Sequence, residues 1–278
     1  MIDKDDIASW LDSQSDFALE MKVFSLTTSL GFEAEHGGTY SDPVTDRPRQ
    51  FDIRSVGRNE NRSIKLAIEC KSLSTEFPLV IQRVPRTEKE SFHDVMYAYE
   101  PDSGPMGMPN VFDNSKILRT PTGSPLYPIA QPVGKSSNQI GKKNDKLFAN
   151  DKEVYDKWAQ AISSAHDLVD DSVYERERLG FSDSFSVIFP VLIVPDDCLW
   201  CVDYDKEGKR LAEPKVTNET SFYISKEYWK KGQMHAAYTA SHLHIMTFSG
   251  YKHFTGKIAS NIRFWAEVYP PNNLAEKE

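Results

Sequence analysis

A chain of 278 residues that is 39% hydrophobic, with 15 Phe, 12 Tyr and 5 Trp, can bury the core of one large domain or two small ones. Its formal net charge of -8 excludes a basic nucleic-acid tail but not a locally basic groove, since binding depends on where charges sit. Three cysteines exclude a disulfide framework. Cys198 and Cys201 form a C-x-x-C, but no second Cys or His pair stands at zinc spacing, so they read as strand residues of CLWCV.

The opening MIDKDDIASW lacks the basic region and apolar core of a signal peptide, and the run VIFPVLIV is far short of a membrane span. The expectation is a soluble, cytoplasmic protein that does not engage a membrane. Residues 15–30 repeat helically, with Phe17, Met21, Phe24 and Leu30 on one face and Gly31 as the stop. GTY after Gly37-Gly38 is a short extended piece, and SDPVTDRPR is turn chemistry. RQFDIRSV predicts a strand, GRNENR a turn, SIKLAIECKS a second strand and PLVIQRV a third.

From Arg86 to Asn150 periodicity is lost amid Pro, Gly and polar residues, which predicts an irregular insertion, either a surface excursion or a substrate clamp. Asp151 then looks like a helix N-cap, followed by the stripe Val154, Trp158, Ile162, Ala165 and Val169. SVIFPVLIVP has the continuous apolar character of a buried strand. CLWCVDYD, SFYIS and LHIMTF follow as strands, and TGKIASNIRFWAEVY as a closing helix. The expected architecture is a single α/β domain, with an insertion at about 86–150 and a C-terminal extension from about 211.

Within LAIECKS, Leu66, Ile68 and Cys70 alternate with Ala67, Glu69 and Lys71, so Glu69 and Lys71 share a face. On the preceding strand Asp52 points away from Phe51 and Ile53. Asp52, Glu69 and Lys71 can therefore converge. Charges set among apolar residues are costly unless paired or metal-bound, and two carboxylates suit a hard cation such as Mg2+. Metal, water and an ammonium together suit phosphodiester hydrolysis.

Asp52 followed by Glu69-Cys70-Lys71 resembles the PD-(D/E)-x-K nuclease superfamily, directly over residues 15–85. The helix at 151–175 and the strand at 186–194 could complete its core. The match departs at Phe51, where the family name has proline. The resemblance implies a restriction-endonuclease-like core: a mixed central β-sheet flanked by helices. It implies Mg2+, with Mn2+ as a substitute, held by Asp52, Glu69 and the Cys70 carbonyl. Lys71 would position the attacking water, and Glu20, matching the acid of the family's first helix, would tune the site or hold a second ion. Glu33 and Glu35 are alternatives to Glu20. The implied activity is a DNA endonuclease leaving 5′-phosphate and 3′-hydroxyl ends, in a restriction or phage-defence setting, as a homodimer or with a defence partner protein.

Arg47, Arg49, Arg54, Arg58, Arg62 and Lys65 crowd the two motif strands, and Gln82, Arg83 and Arg86 follow on or just after the third. Such a collar could grip the phosphates of double-stranded DNA, with Gln82 steadying water or phosphate. An ordinary solvated surface is the alternative. Lys135, Lys142, Lys143 and Lys146 make the end of the insertion basic, and Lys226, Lys230 and Lys231 flank Tyr228 and Trp229. Two other functions fit the same residues: a non-catalytic nucleic-acid-binding or assembly subunit that keeps the fold, and a hydrolase using Glu69 as general base on another substrate.

Overall fold

The computed structural model describes residues 2–43, 45–100, 115–150, 152–228 and 237–277. The expected N-cap Asp151, and Trp229, Lys230 and Lys231, lie outside the described residues.

The chain begins with α1 (Lys4–Gln14), which opens on a capping box: Asp3 accepts the backbone N–H groups of Asp5 and Asp6. α2 (Phe17–Ser29) ends before Gly31, whose φ of 82° favours glycine. Its buried stripe is Leu19, Val23 and Thr27, not the expected face: Phe17 and Met21 are exposed, while Phe24 and Leu30 pack at the margin. Both stripes satisfy helical spacing. Thr27 decides between them, because its hydroxyl bonds the Val23 carbonyl and the Tyr251 hydroxyl.

The strands β1 (Glu33–His36), β2 (Thr39–Ser41), β3 (Pro48–Gln50) and β4 (Ile53–Asn59) follow, so the strand expected over RQFDIRSV is interrupted at Phe51-Asp52. β4 turns through Glu60-Asn61 into β5 (Arg62–Cys70), and β6 (Leu79–Pro85) comes next. The described part of 86–150 is not irregular. It supplies β7 (Asp94–Tyr99), β8 (Ser115–Arg119), β9 (Pro132–Lys143) and β10 (Lys146–Ala149). β9 pairs with β6 from Leu79↔Gln139 to Pro85↔Pro132, and β7 pairs with the buried strand Asp183–Val194. Two of the glycines that disguised β9 mark close packing: a Cβ on Gly134 would lie 2.7 Å from the Phe222 ring, and one on Gly141 2.4 Å from Phe77.

After α3 (Lys152–Ser172) and α4 (Glu175–Leu179) comes β11 (Asp183–Val194), then β12 (Leu199–Asp203), β13 (Lys215–Val216), β14 (Glu219–Tyr228) and β15 (Tyr238–Thr247). The closing helix is two helices, α5 (Phe248–Ser260) and α6 (Ile262–Val268), and β16 (Ala275–Glu276) ends the chain. They divide at Asn261, which caps α6 by accepting the Arg263 and Phe264 N–H groups.

Among the described residues a 14-stranded mixed sheet runs β1-β4-β5-β11-β15-β14-β9-β6-β12-β13, with β7, β8, β10 and β16 paired alongside. β5, β11 and β15 are mutually parallel neighbours at its centre. Residues beyond 211 thus supply the central strand β15 rather than an appendage. Leu66, Ile68 and Cys70 pack with Leu19 and Val23 of α2, Phe254 and Ile258 of α5, and Phe264 and Trp265 of α6. Ala67 and Ile188 pack on the other side with Ile162, Ala165, Leu168 and Val169 of α3. With both faces covered, β5 is a central strand whose Lys65 and Glu69 are fully buried. Among the described residues no helix is long and apolar enough to cross a membrane.

Candidate active site

In the β4–β5 hairpin Ile53 faces Ile68, so Asp52 stands just beyond the last pair, next to Glu69. The Cys70 N–H donates to Asp52 Oδ2 at 2.8 Å, and the Asp52 N–H points to Glu69 Oε1 at 3.4 Å. The two carboxylates do converge, as strand alternation predicts. Ala67 and Glu69 share the face covered by α3, and the charge that meets Glu69 comes from that helix.

Lys157 is this charge. Val154, Ala161 and Ala165 hold α3 on the sheet, and Lys157 lies at the margin of that stripe. Its Nζ stands 2.8 and 3.2 Å from the Asp52 oxygens, 3.5 Å from Glu69 Oε2 and 3.7 Å from Asp16 Oδ2. Burial alone would lower the Lys157 ammonium, but Asp52 and Glu69 more than reverse this and raise it above the usual lysine value. Burial, and then the Asp52 charge, push Glu69 well above the usual carboxylate range, and Lys157 offsets only part of that.

Lys71 lies just past the end of β5, where its N–H donates to the Ile193 carbonyl. Its ammonium is 3.1 Å from Glu153 and 3.7 Å from Asp16, and these, not Asp52 or Glu69, are its ion-pair partners. Asp16 joins the two lysines: it approaches both ammonium groups and accepts the Ser72 N–H at 2.6 Å. Glu20 contacts His36 Nε2 at 3.0 Å, and the rings of Phe17 and Phe24 lie against that imidazole. Burial and then Asp52 raise Glu20, so it is coupled to the cluster through charge rather than contact. Glu33 and Glu35 are exposed on β1, and Glu33 pairs with Arg58. The Cys70 thiol is buried in the opposite core, which raises its pKa well above the usual thiol value.

Two observations bear on a hard cation at this point. Glu69 Oε2 is buried without a hydrogen-bond partner, and Asp52 is adjacent. Among the described residues, however, no group of three or more His, Cys, Asp or Glu side chains is disposed to hold a metal ion. The Lys157 ammonium bridges Asp52 and Glu69. A cation between these two carboxylates would take the place that the Lys157 ammonium occupies.

The expected collar is not gathered around this point. Arg58 and Arg62 sit at the far end of the β4–β5 hairpin, six residues along β4 from Asp52, or about 20 Å at strand spacing. Arg58 pairs there with Glu33 and Glu175, and Arg62 lies over the Tyr269 ring. The buried Lys65 pairs with Glu175 at 2.9 Å and Asp171 at 3.1 Å. Arg54 spans to Asp167 and the Ser164 carbonyl, and Arg49 pairs with Asp42. Arg47 is exposed between β2 and β3. Gln82 and Arg83 are on β6, across the sheet, where Arg83 is bidentate to Asp203. The basic end of the insertion is likewise partly neutralised, with Lys135 on Glu90 and Lys142 on Asp145.

Sequence reasoning missed Lys157 and Asp16. The available signal was that Lys157 follows Glu153 by four residues and borders Trp158 of the buried stripe. Neither the protein-family models, nor the curated proteins, nor the solved structures contain a match to this chain.

Proposed function

We propose that Asp52, Glu69 and Lys157 form the hydrolytic centre of a metal-dependent nuclease acting on DNA, built on a restriction-endonuclease-like core. The observation that carries this reading is the meeting of two carboxylates, one fully buried with an oxygen that accepts no hydrogen bond, against a helix-borne ammonium at the open end of the β4–β5 hairpin. Mg2+ or Mn2+ held by Asp52 and Glu69 would offset negative charge on the phosphoryl oxygens. The Cys70 N–H fixes the Asp52 carboxylate, so its orientation is preorganised. Lys157 supplies positive charge at the carboxylates and is the candidate for holding a water beside the scissile phosphate, the role first expected of Lys71. Lys71, tethered to Glu153 and Asp16, orients the N-terminal turn of α3 and hence Lys157. Glu20, with its raised pKa, can hold a proton close to the cluster.

The second reading is a nucleic-acid-binding or assembly subunit. The carboxylate partners of Arg49, Arg54, Arg58 and Arg83 leave fewer cations for phosphate and so favour its assembly form over its nucleic-acid-binding form. Mn2+ titration followed by electron paramagnetic resonance, beside cleavage of an end-labelled duplex, separates the two. The nuclease reading expects Mn2+ binding and cleavage in wild type and loss of both in Asp52→Asn and Glu69→Gln. Duplex binding without Mn2+ binding or cleavage would reject the nuclease in favour of the binding subunit.

A further inference from the structure

Arg86 follows β6 directly and is 4% exposed. A buried guanidinium is costly unless its charge is matched. Arg83, the other buried arginine among the described residues, grips Asp203 with two nitrogens at 2.7 and 3.0 Å, and the partly buried Arg119 grips Asp94 in the same way. Arg86 has no carboxylate partner among the described residues. Its Nε donates to His242 Nε2 at 3.3 Å, Nη1 to the Pro128 carbonyl at 2.9 Å and Nη2 to Ser221 Oγ at 2.7 Å. All three acceptors are neutral. His242 and His244 are kept uncharged by burial and by Arg86 itself. Glu90 is near enough to feel the charge, but it is committed to Lys135 and the Thr87 N–H.

Each terminal nitrogen of Arg86 carries a second N–H beyond the bond named. Arg86 lines a cavity of about 450 Å3 on the α5–α6 side of the sheet, away from Lys157 on α3. Its wall includes Tyr127, Ser221, His244 and Phe254, and Lys257 stands at its edge. The Tyr127 ring is stacked on His242 at 3.8 Å and held by His244, whose Nε2 is 2.7 Å from the Tyr127 hydroxyl. Stacking and this hydrogen bond fix the orientation of the Tyr127 ring, and the volume is that of a small-molecule pocket. Glu219 and Glu267 are exposed at the lining, which disfavours a polyanion such as a nucleic-acid strand and leaves room for one small anion.

We infer that this cavity is a binding site for a small oxyanion-bearing ligand of about nucleotide size, whose phosphate or carboxylate pairs with Arg86 while its body lies against Tyr127 and Phe254. The site is separate from the Asp52 cluster and does not depend on its activity.

Calorimetric titration of the full chain with inorganic phosphate, AMP and citrate, at ionic strength fixed with NaCl, tests this. At least one probe should bind saturably at one site per chain. Arg86→Gln should weaken it by at least about tenfold, and Lys157→Met should leave it unchanged. AMP binding more tightly than phosphate marks a phosphate ester as the ligand, phosphate binding best marks the free anion, and citrate alone marks a carboxylate. No saturable binding of any probe at millimolar concentration, or equal affinity in Arg86→Gln, overturns the proposal. If Arg86→Gln fails to fold by circular dichroism, Lys257→Gln decides. A twofold to threefold loss, roughly the effect of a rim charge, supports the site, and an unchanged affinity overturns it.

Discussion

Replacing Lys157 with Met keeps an unbranched apolar side chain at this position of α3 and removes the ammonium from between Asp52 and Glu69. Breaking one side of a buried ion pair costs about 3–5 kcal/mol. Lys157 is 20% exposed, so solvent recovers part of this, and the expected loss at pH 8 is about 2–4 kcal/mol. For a chain of this size that lowers Tm by roughly 3–7 °C. The loss should depend on pH. An unfolded glutamate releases its proton near pH 4.3, whereas folded Glu69 is held well above that by burial and by Asp52. Between those two pH values the folded state binds the extra proton, so this group removes stability as pH rises. Without Lys157 the folded value climbs further, at about 1.4 kcal/mol for each additional unit. The deficit of Lys157→Met should therefore be smaller at pH 5 than at pH 8. Thermal melts of wild type and variant at the two pH values measure it directly. A deficit that is equal at both, or larger at pH 5, would refute the reasoning that Lys157 offsets part of the cost of ionising Glu69.

Glu69→Gln should equal or exceed wild-type stability at pH 8, because it removes a buried charge beside Asp52, yet lose any Mg2+-induced rise in Tm; melts with and without Mg2+ read both. Lys65→Met should cost about 3 kcal/mol by leaving the buried Glu175 with Arg58 as its main partner, a loss that urea unfolding would register. Trypsin should spare Lys135, held in β9 opposite β6 and on Glu90, and early cleavage there in a timed digest would show that β9 is not packed as described.

The β4–β5 hairpin was legible because strand alternation is local: it brings Asp52 to Glu69 and puts Leu66, Ile68 and Cys70 in one core. The α3 stripe was legible for the same reason at helical spacing. The face of α2 was not, since Phe17–Met21–Phe24 and Leu19–Val23–Thr27 are equally periodic and only the sheet and Tyr251 choose between them. The insertion was misread because Gly134 and Gly141 resemble turn residues when their role is to admit Phe222 and Phe77. Lys157 was missed because a lysine beside a buried stripe looks solvated until the tertiary fold lays α3 over Glu69. The arginine collar failed in the same manner: crowding in sequence said nothing of Glu33, Glu175, Asp167 and Asp42, the partners that the fold supplies.

The central claim is that the Asp52–Glu69–Lys157 cluster hydrolyses DNA with a divalent metal. Purified chain incubated with supercoiled plasmid and Mg2+ or Mn2+, beside a chelator control and Asp52→Asn, tests it most directly. The account predicts nicked or linear plasmid in wild type with metal, and intact plasmid with chelator or with Asp52→Asn. Intact plasmid in every lane, or equal cutting by Asp52→Asn, would contradict it.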